Sequence, residues 1–107
     1  MTTVDVDASK ITDFYTFHEV FKDTLGFIDG YGNNMNAWID CMRDIHEDTG
    51  MSNILLPESE PLTLKINSSS TVKKACPEVL EALASCTGHV NVHLYERNLA
   101  PIYLLFA

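Results

Sequence analysis

Asp29-Gly30-Tyr31-Gly32-Asn33-Asn34-Met35-Asn36-Ala37-Trp38-Ile39-Asp40 runs from a tight polar loop straight into an amphipathic helix. Gly30 and Gly32 permit positive φ angles and close approach of another backbone. Asn34 suits the N-cap position. Beyond it, Met35, Trp38, Ile39, Met42 and Ile45 recur at helical spacing and predict a buried face. At roughly 100° per residue, Asn36, Asp40, Arg43 and Glu47 fall on the opposite, solvent face, and Gly50 ends the helix. Upstream, Phe14, Phe17, Val20, Phe21 and Leu25 are spaced three and four apart, so Thr12–Leu25 reads as a helix stopped by Gly26. Two helices therefore follow one another across this loop.

Strand patterns flank that pair. Thr2–Asp7 alternates, with Val4 and Val6 on one face, and Leu62–Asn67 alternates Leu62, Leu64 and Ile66. Met51–Pro61 is loop-like, carrying two prolines. Ser68–Thr71 opens a short helical segment near Val72–Ala75. Pro77 fits the first position of a further helix whose face includes Leu80 and Leu83, with Gly88 as its cap. Val90–Tyr95 and Ile102–Phe106 read as two last strands. The short connection Glu96–Pro101 makes them antiparallel neighbours. The order β-αα-β-αα-ββ predicts an α/β fold, a small parallel sheet with packed helices plus a C-terminal antiparallel strand, in one domain spanning 1–107.

Composition narrows the function. At 46% hydrophobic, 107 residues can bury one core. No apolar run approaches the ~20 residues of a membrane span. The N-terminus lacks the basic and apolar regions of a signal peptide, which predicts a cytoplasmic protein. Three cysteines without a CxxC pair fit reduced thiols better than a disulfide framework. Fifteen acids against seven bases give a net charge of −8. Direct binding of nucleic acid, which needs clustered Lys and Arg, is disfavoured, and a basic protein is the better electrostatic match.

Catalytic and metal chemistry find little support. No HExxH, GxSxG, Walker loop or GxGxxG occurs. His89 and His93, placed on a strand, would lie about 13 Å apart at ~3.3 Å per residue, too far to share an ion. No cofactor is expected. Ser68-Ser69-Ser70-Thr71 is better explained by capping than by a nucleophile. An enzyme built on Asp40 with His18 or His46 lacks any nucleophile–base–orienter set. Two residues of the loop and helix do invite a binding role. Tyr31, between two glycines, reads as an exposed aromatic anchor, the alternative being a ring folded back over the helix pair. Asp40 is a carboxylate held rigidly on the helix's outer face, suited to enter a cationic pocket.

The run Phe27-Ile-Asp-Gly-Tyr-Gly-Asn-Asn-Met-Asn-Ala-Trp-Ile-Asp-Cys-Met42 resembles the signature of the barstar family, intracellular inhibitors of barnase-type ribonucleases. That motif is an aromatic-Gly-x-Asn-[Leu/Met]-[Asp/Asn]-Ala run leading to a helical Asp. Tyr31, Gly32, Asn34, Met35, Ala37 and Asp40 match it. The resemblance implies a ribonuclease inhibitor or immunity protein, not an enzyme. It would plug the active site of a basic ribonuclease or nuclease toxin through this loop and helix. Asp40 would stand in for a substrate phosphate, Tyr31 and Asn34 would shape the contact, and Gly32 would let the backbones approach. Barnase and barstar are themselves the known example of such a hot-spot carboxylate and of charge steering. The chain departs from the best-known inhibitor at three places. Gly30 replaces a second aromatic and Asn36 replaces an Asp. Leu83 falls nearest a later-helix glutamate, with Glu78 and Glu81 only approximate stand-ins. The expected partner surface comprises Asp29, Gly30, Tyr31, Gly32, Asn34, Asn36, Asp40, Asp44 and Glu47, with Asp29, Asp44, Glu47 and Asp48 able to steer a basic partner. A second reading, favoured by Gly30 and Asn36, is an adaptor of the same fold whose partner is not a nuclease.

Overall fold

The computed structural model describes residues 2–107. Strands β1 (Thr2–Asp7), β2 (Leu62–Asn67) and β3 (Ile102–Phe106) form one sheet in the order β1-β2-β3, and both pairings are parallel. Register sets Val4 beside Leu64 and Leu64 beside Leu104. Helices α1 (Phe14–Leu25) and α2 (Met35–Arg43) lie in the crossover from β1 to β2, and α3 (Ser69–Ala75) and α4 (Pro77–Glu96) in that from β2 to β3. Val6, Leu62, Leu64, Ile66 and Ile102 are buried on the covered face. Thr3, Asp5 and Asp7 of β1, and Tyr103 and Leu105 of β3, are exposed on the other.

The expected antiparallel C-terminal strand is not there. Val90–Tyr95 belongs to α4, which runs without a break to Glu96, so β3 returns parallel to β2. The reason lies in two periods that coincide. Val90, Val92 and Leu94 alternate with polar residues as a strand would. However, Val79, Leu83, Thr87, Val90 and Leu94 are buried at spacings of four and three, and Val92 is left 59% exposed. Gly88 does not cap anything. It sits in mid-helix, where an added Cβ would meet open space. The helix ends instead at Glu96 and is closed by Asn98, whose φ of 58° is left-handed, with Leu99 N–H donating to Leu94 O at 2.9 Å. Asn91 then docks α4 on β3. Its amide donates to Ile102 O at 2.9 Å and its oxygen accepts from Ile102 N at 2.8 Å.

Helix α1 starts and stops close to where the sequence predicts, and α2 starts where it predicts. Asp13 and Thr16 form a capping box at α1, and Gly26, at φ 63°, closes it. A side chain at Gly26 would collide with Asn53. Helix α2 is shorter than expected, ending at Arg43 rather than near Gly50. Ile45 is nonetheless fully buried, so the turn after the helix continues its apolar face. Trp38, also fully buried, meets Phe21 of α1 edge to face at 5.9 Å. None of the three cysteines is paired.

Candidate functional site

The loop between α1 and α2 is anchored from both ends. Phe27 N–H donates to Lys22 O, Ile28 N–H to Met51 O at 2.9 Å, and Tyr31 N–H to Ile28 O at 2.9 Å. Asn34 caps α2, its side-chain oxygen accepting from Ala37 N at 2.8 Å while its amide donates to Gly32 O at 3.2 Å. This explains Gly32. A Cβ there would stand 3.1 Å from the Asn34 amide nitrogen, so the capping side chain would have to give by a few tenths of an ångström. Neither Gly30 nor Gly32 has a positive φ, contrary to the expectation. The left-handed residue of this loop is Asn33, at φ 52°.

Tyr31 corrects a second expectation. Its ring is buried, not presented to a partner, and packs on Phe27 with centroids 4.7 Å apart. Its hydroxyl reaches His18 Nδ1 at 2.5 Å, and His18 is itself buried on α1. Burial raises the phenol's pKa and lowers that of the imidazole, so both are held neutral. The flanking glycines do not expose the ring, because Phe27, His18 and the α1 stripe supply an apolar seat for it. Tyr31 thus clamps the loop to α1 from behind.

On α2, Trp38, Cys41 and Met42 face inward. Asn36 and Asp40 are exposed and Arg43 is half-buried, all three on one outer arc, as the helical period predicts. Asp40 makes no hydrogen bond or ion pair among the described residues. Its field helps burial push the neighbouring Cys41 thiol up to about 11, so that sulfur is not a nucleophile. Asp44 caps the end of α2 and accepts from Thr49 Oγ at 2.9 Å. Glu47, expected on the helix, lies in the turn beyond it, its N–H donating to Asp44 O at 3.0 Å. Asp29 and Gly30 are exposed at the loop tip. Leu83, at the position nearest the later-helix glutamate, is buried and presents nothing.

The remaining histidines are not partners of Asp40. His46 faces Leu56 O, Pro57 O and Ala100 O, and so ties the segment after α2 to the start of β3. His89 and His93 lie on neighbouring turns of α4, not 13 Å apart on a strand. His93 Nδ1 accepts from Arg43 Nε at 3.0 Å. Among the described residues, no group of three or more His, Cys, Asp or Glu could hold a metal ion, and no helix is long and apolar enough to cross a membrane. His89 and His93 thus belong to a helix and not to the expected strand, and the four-residue spacing from Val79 to Leu83 to Thr87 is the sequence signal for it. No curated protein matches the chain. Residues 1–106 match the model of a family described as Barstar (barnase inhibitor).

Proposed function

The chain belongs to the barstar family, and from that premise we propose that it is an intracellular inhibitor of a basic ribonuclease or nuclease toxin. It would act by occupying the nuclease's active site, with no covalent step and no cofactor. The observation that carries this reading is Asp40: a carboxylate on the outer arc of a capped helix, exposed, and free of any hydrogen bond or ion pair among the described residues.

An unpaired carboxylate on a rigid helix keeps its full charge for a partner's cations and loses little conformational freedom on binding. In this reading Asp40 mimics a substrate phosphate among the nuclease's basic side chains. Asn36 lies one turn before it and offers a neutral hydrogen-bonding amide where a second carboxylate would add charge. The loop tip, Asp29 and Gly30, and the backbone at Gly32 contribute close main-chain approach, with Asn34 fixing the helix start. Tyr31 acts indirectly, as the clamp behind the loop. Asp44 and Glu47 belong to the field that draws a basic partner in.

The test is an RNA-cleavage and binding assay with barnase and with any ribonuclease captured from the native host. The wild-type chain is expected to suppress cleavage by its partner. Asp40→Ala is expected to raise Kd by about a hundredfold or more, chiefly through faster dissociation. An unchanged affinity in Asp40→Ala would sink the mechanism. Capture of a partner that cleaves no RNA would favour the adaptor reading instead.

A further inference from the structure

The two arginines of this acidic chain, Arg43 and Arg97, come together in one hollow between α2 and α4, with His89 and His93. The hollow measures about 320 Å³, and Ile39, the neighbour of Asp40, forms its α2 wall. Its single acidic lining residue is Glu96, which makes no hydrogen bond or ion pair among the described residues.

The bonding pattern leaves the cations available. Arg43 places Nε at 3.0 Å and Nη2 at 2.7 Å from His93 Nδ1. A ring nitrogen that accepts from a guanidinium carries no proton, so this is a neutral imidazole and the Arg43 charge is not cancelled. Arg97 uses Nη1 on a backbone carbonyl, His93 O, at 3.3 Å. Each guanidinium has five N–H donors, and these contacts use only a part of them. Forked donors with charge to spare are what bind carboxylates and phosphates two bonds at a time. The field has the same sign. Burial first, then Arg43 and Arg97, hold the His93 pKa down, with Glu47 and Asp44 opposing less strongly.

We propose that this hollow is an anion-accepting subsite, filled in the complex by a carboxylate of the partner protein. The proposal rests on the reading of α2 as the docking helix. Asp40 and Arg43 are three residues apart and share its outer arc, so a partner seated there reaches both. A uniformly cationic cleft would be repelled at Arg43. The partner that fits pairs a basic pocket, for Asp40, with an acidic side chain one helical turn away, for Arg43 and Arg97. Selectivity among basic ribonucleases then comes from this corner.

The direct test needs no partner. Side-chain resonances of Arg43, Arg97 and His93 are followed by NMR in the intact protein, titrated with sodium acetate against sodium chloride at equal ionic strength. Acetate is expected to give saturable shifts confined to the hollow. Arg97→Gln, at an exposed site that does not endanger folding, and Arg43→Gln are each expected to weaken acetate binding by about threefold or more. Shifts no larger than those from chloride, or unchanged in both variants, overturn the subsite. Inorganic phosphate binding about tenfold tighter than acetate would reassign the hollow to a free phosphoryl ligand and overturn the partner carboxylate. Asp40→Asn should leave the acetate response in place. Loss of the anion site and loss of the Asp40 mechanism are therefore read in separate experiments.

Discussion

On one flank α2 leads from Asn36 and Asp40 to Asp44 and the turn that holds Glu47; on the other it turns Ile39 and Arg43 toward His93 and Arg97 of α4. The first flank is an exposed row of local sequence, readable within a dozen residues. The second is an assembly, made of two helices some fifty residues apart along the chain. The contrast shows that net charge describes this surface poorly. A molecule of charge −8 carries a positive corner about one helical turn from the exposed, unpaired carboxylate of Asp40. In the proposed complex, attraction at a distance and discrimination at contact would then fall to adjoining flanks of one helix arc.

The contrast breaks most readily at Asp40. If the acidic flank carries the binding energy, Asp40→Ala should cost ~2.7 kcal/mol or more of binding free energy, measured by surface kinetics with the captured nuclease. Next in size is the support behind that flank. Tyr31→Phe removes the hydroxyl that reaches buried His18, and should lower unfolding free energy in urea by about 1–3 kcal/mol. An exposed Tyr31 would make the change nearly neutral. The same pair predicts a pH dependence. Because burial depresses the His18 pKa in the fold, the unfolded chain binds the extra proton. The stabilisation is thus fully present above the unfolded value near 6.5 and is lost as pH falls through the folded pKa. Urea midpoints at pH 7.5 and 5.5 measure this, and His18→Gln should flatten that part of the slope.

The second flank depends on α4 being one continuous helix. Gly88→Ala should raise stability by about 0.5–1 kcal/mol, since the position is helical and an added methyl meets open space. Destabilisation would favour an interrupted helix and dissolve the basic corner. The smallest effect is expected from the acidic rim. Glu47→Lys should slow association by up to about tenfold at low salt, leave dissociation nearly unchanged, and lose its effect near 1 M salt.

The acidic flank was legible because its determinants are local. Asn34 followed by an apolar period specifies the start of a helix, and the same period puts Asp40 outside. The end of α2 was less so, since Ile45 continues the buried pattern after the helical hydrogen bonds have stopped. The burial of Tyr31 is not legible locally, because flanking glycines speak for backbone freedom, whereas the ring's position is decided by His18, thirteen residues away and pointing inward from another helix. The basic flank was hidden by α4. Val90–Tyr95 satisfies strand and helix periods together, and the tie is broken by the helical spacing that runs in from Val79, Leu83 and Thr87 and by the contacts of α4 with α2 and Ile102. With α4 read as a helix, the parallel direction of β3 follows directly, and so does the meeting of Arg43 with His93.

The parallel sheet has a kinetic meaning. Thr2 pairs with Leu62 and Leu62 with Ile102, so no strand contact can form without closing a long stretch of chain. The entropy of those closures must be met before any sheet contact repays it, which slows folding relative to a helical bundle of this size. A nascent chain that has passed Asp40 but not Leu62 already contains the proposed docking loop and helix without the central strand of the sheet. Binding competence should therefore appear late in synthesis, with the sheet, and not when the α1–α2 segment first emerges.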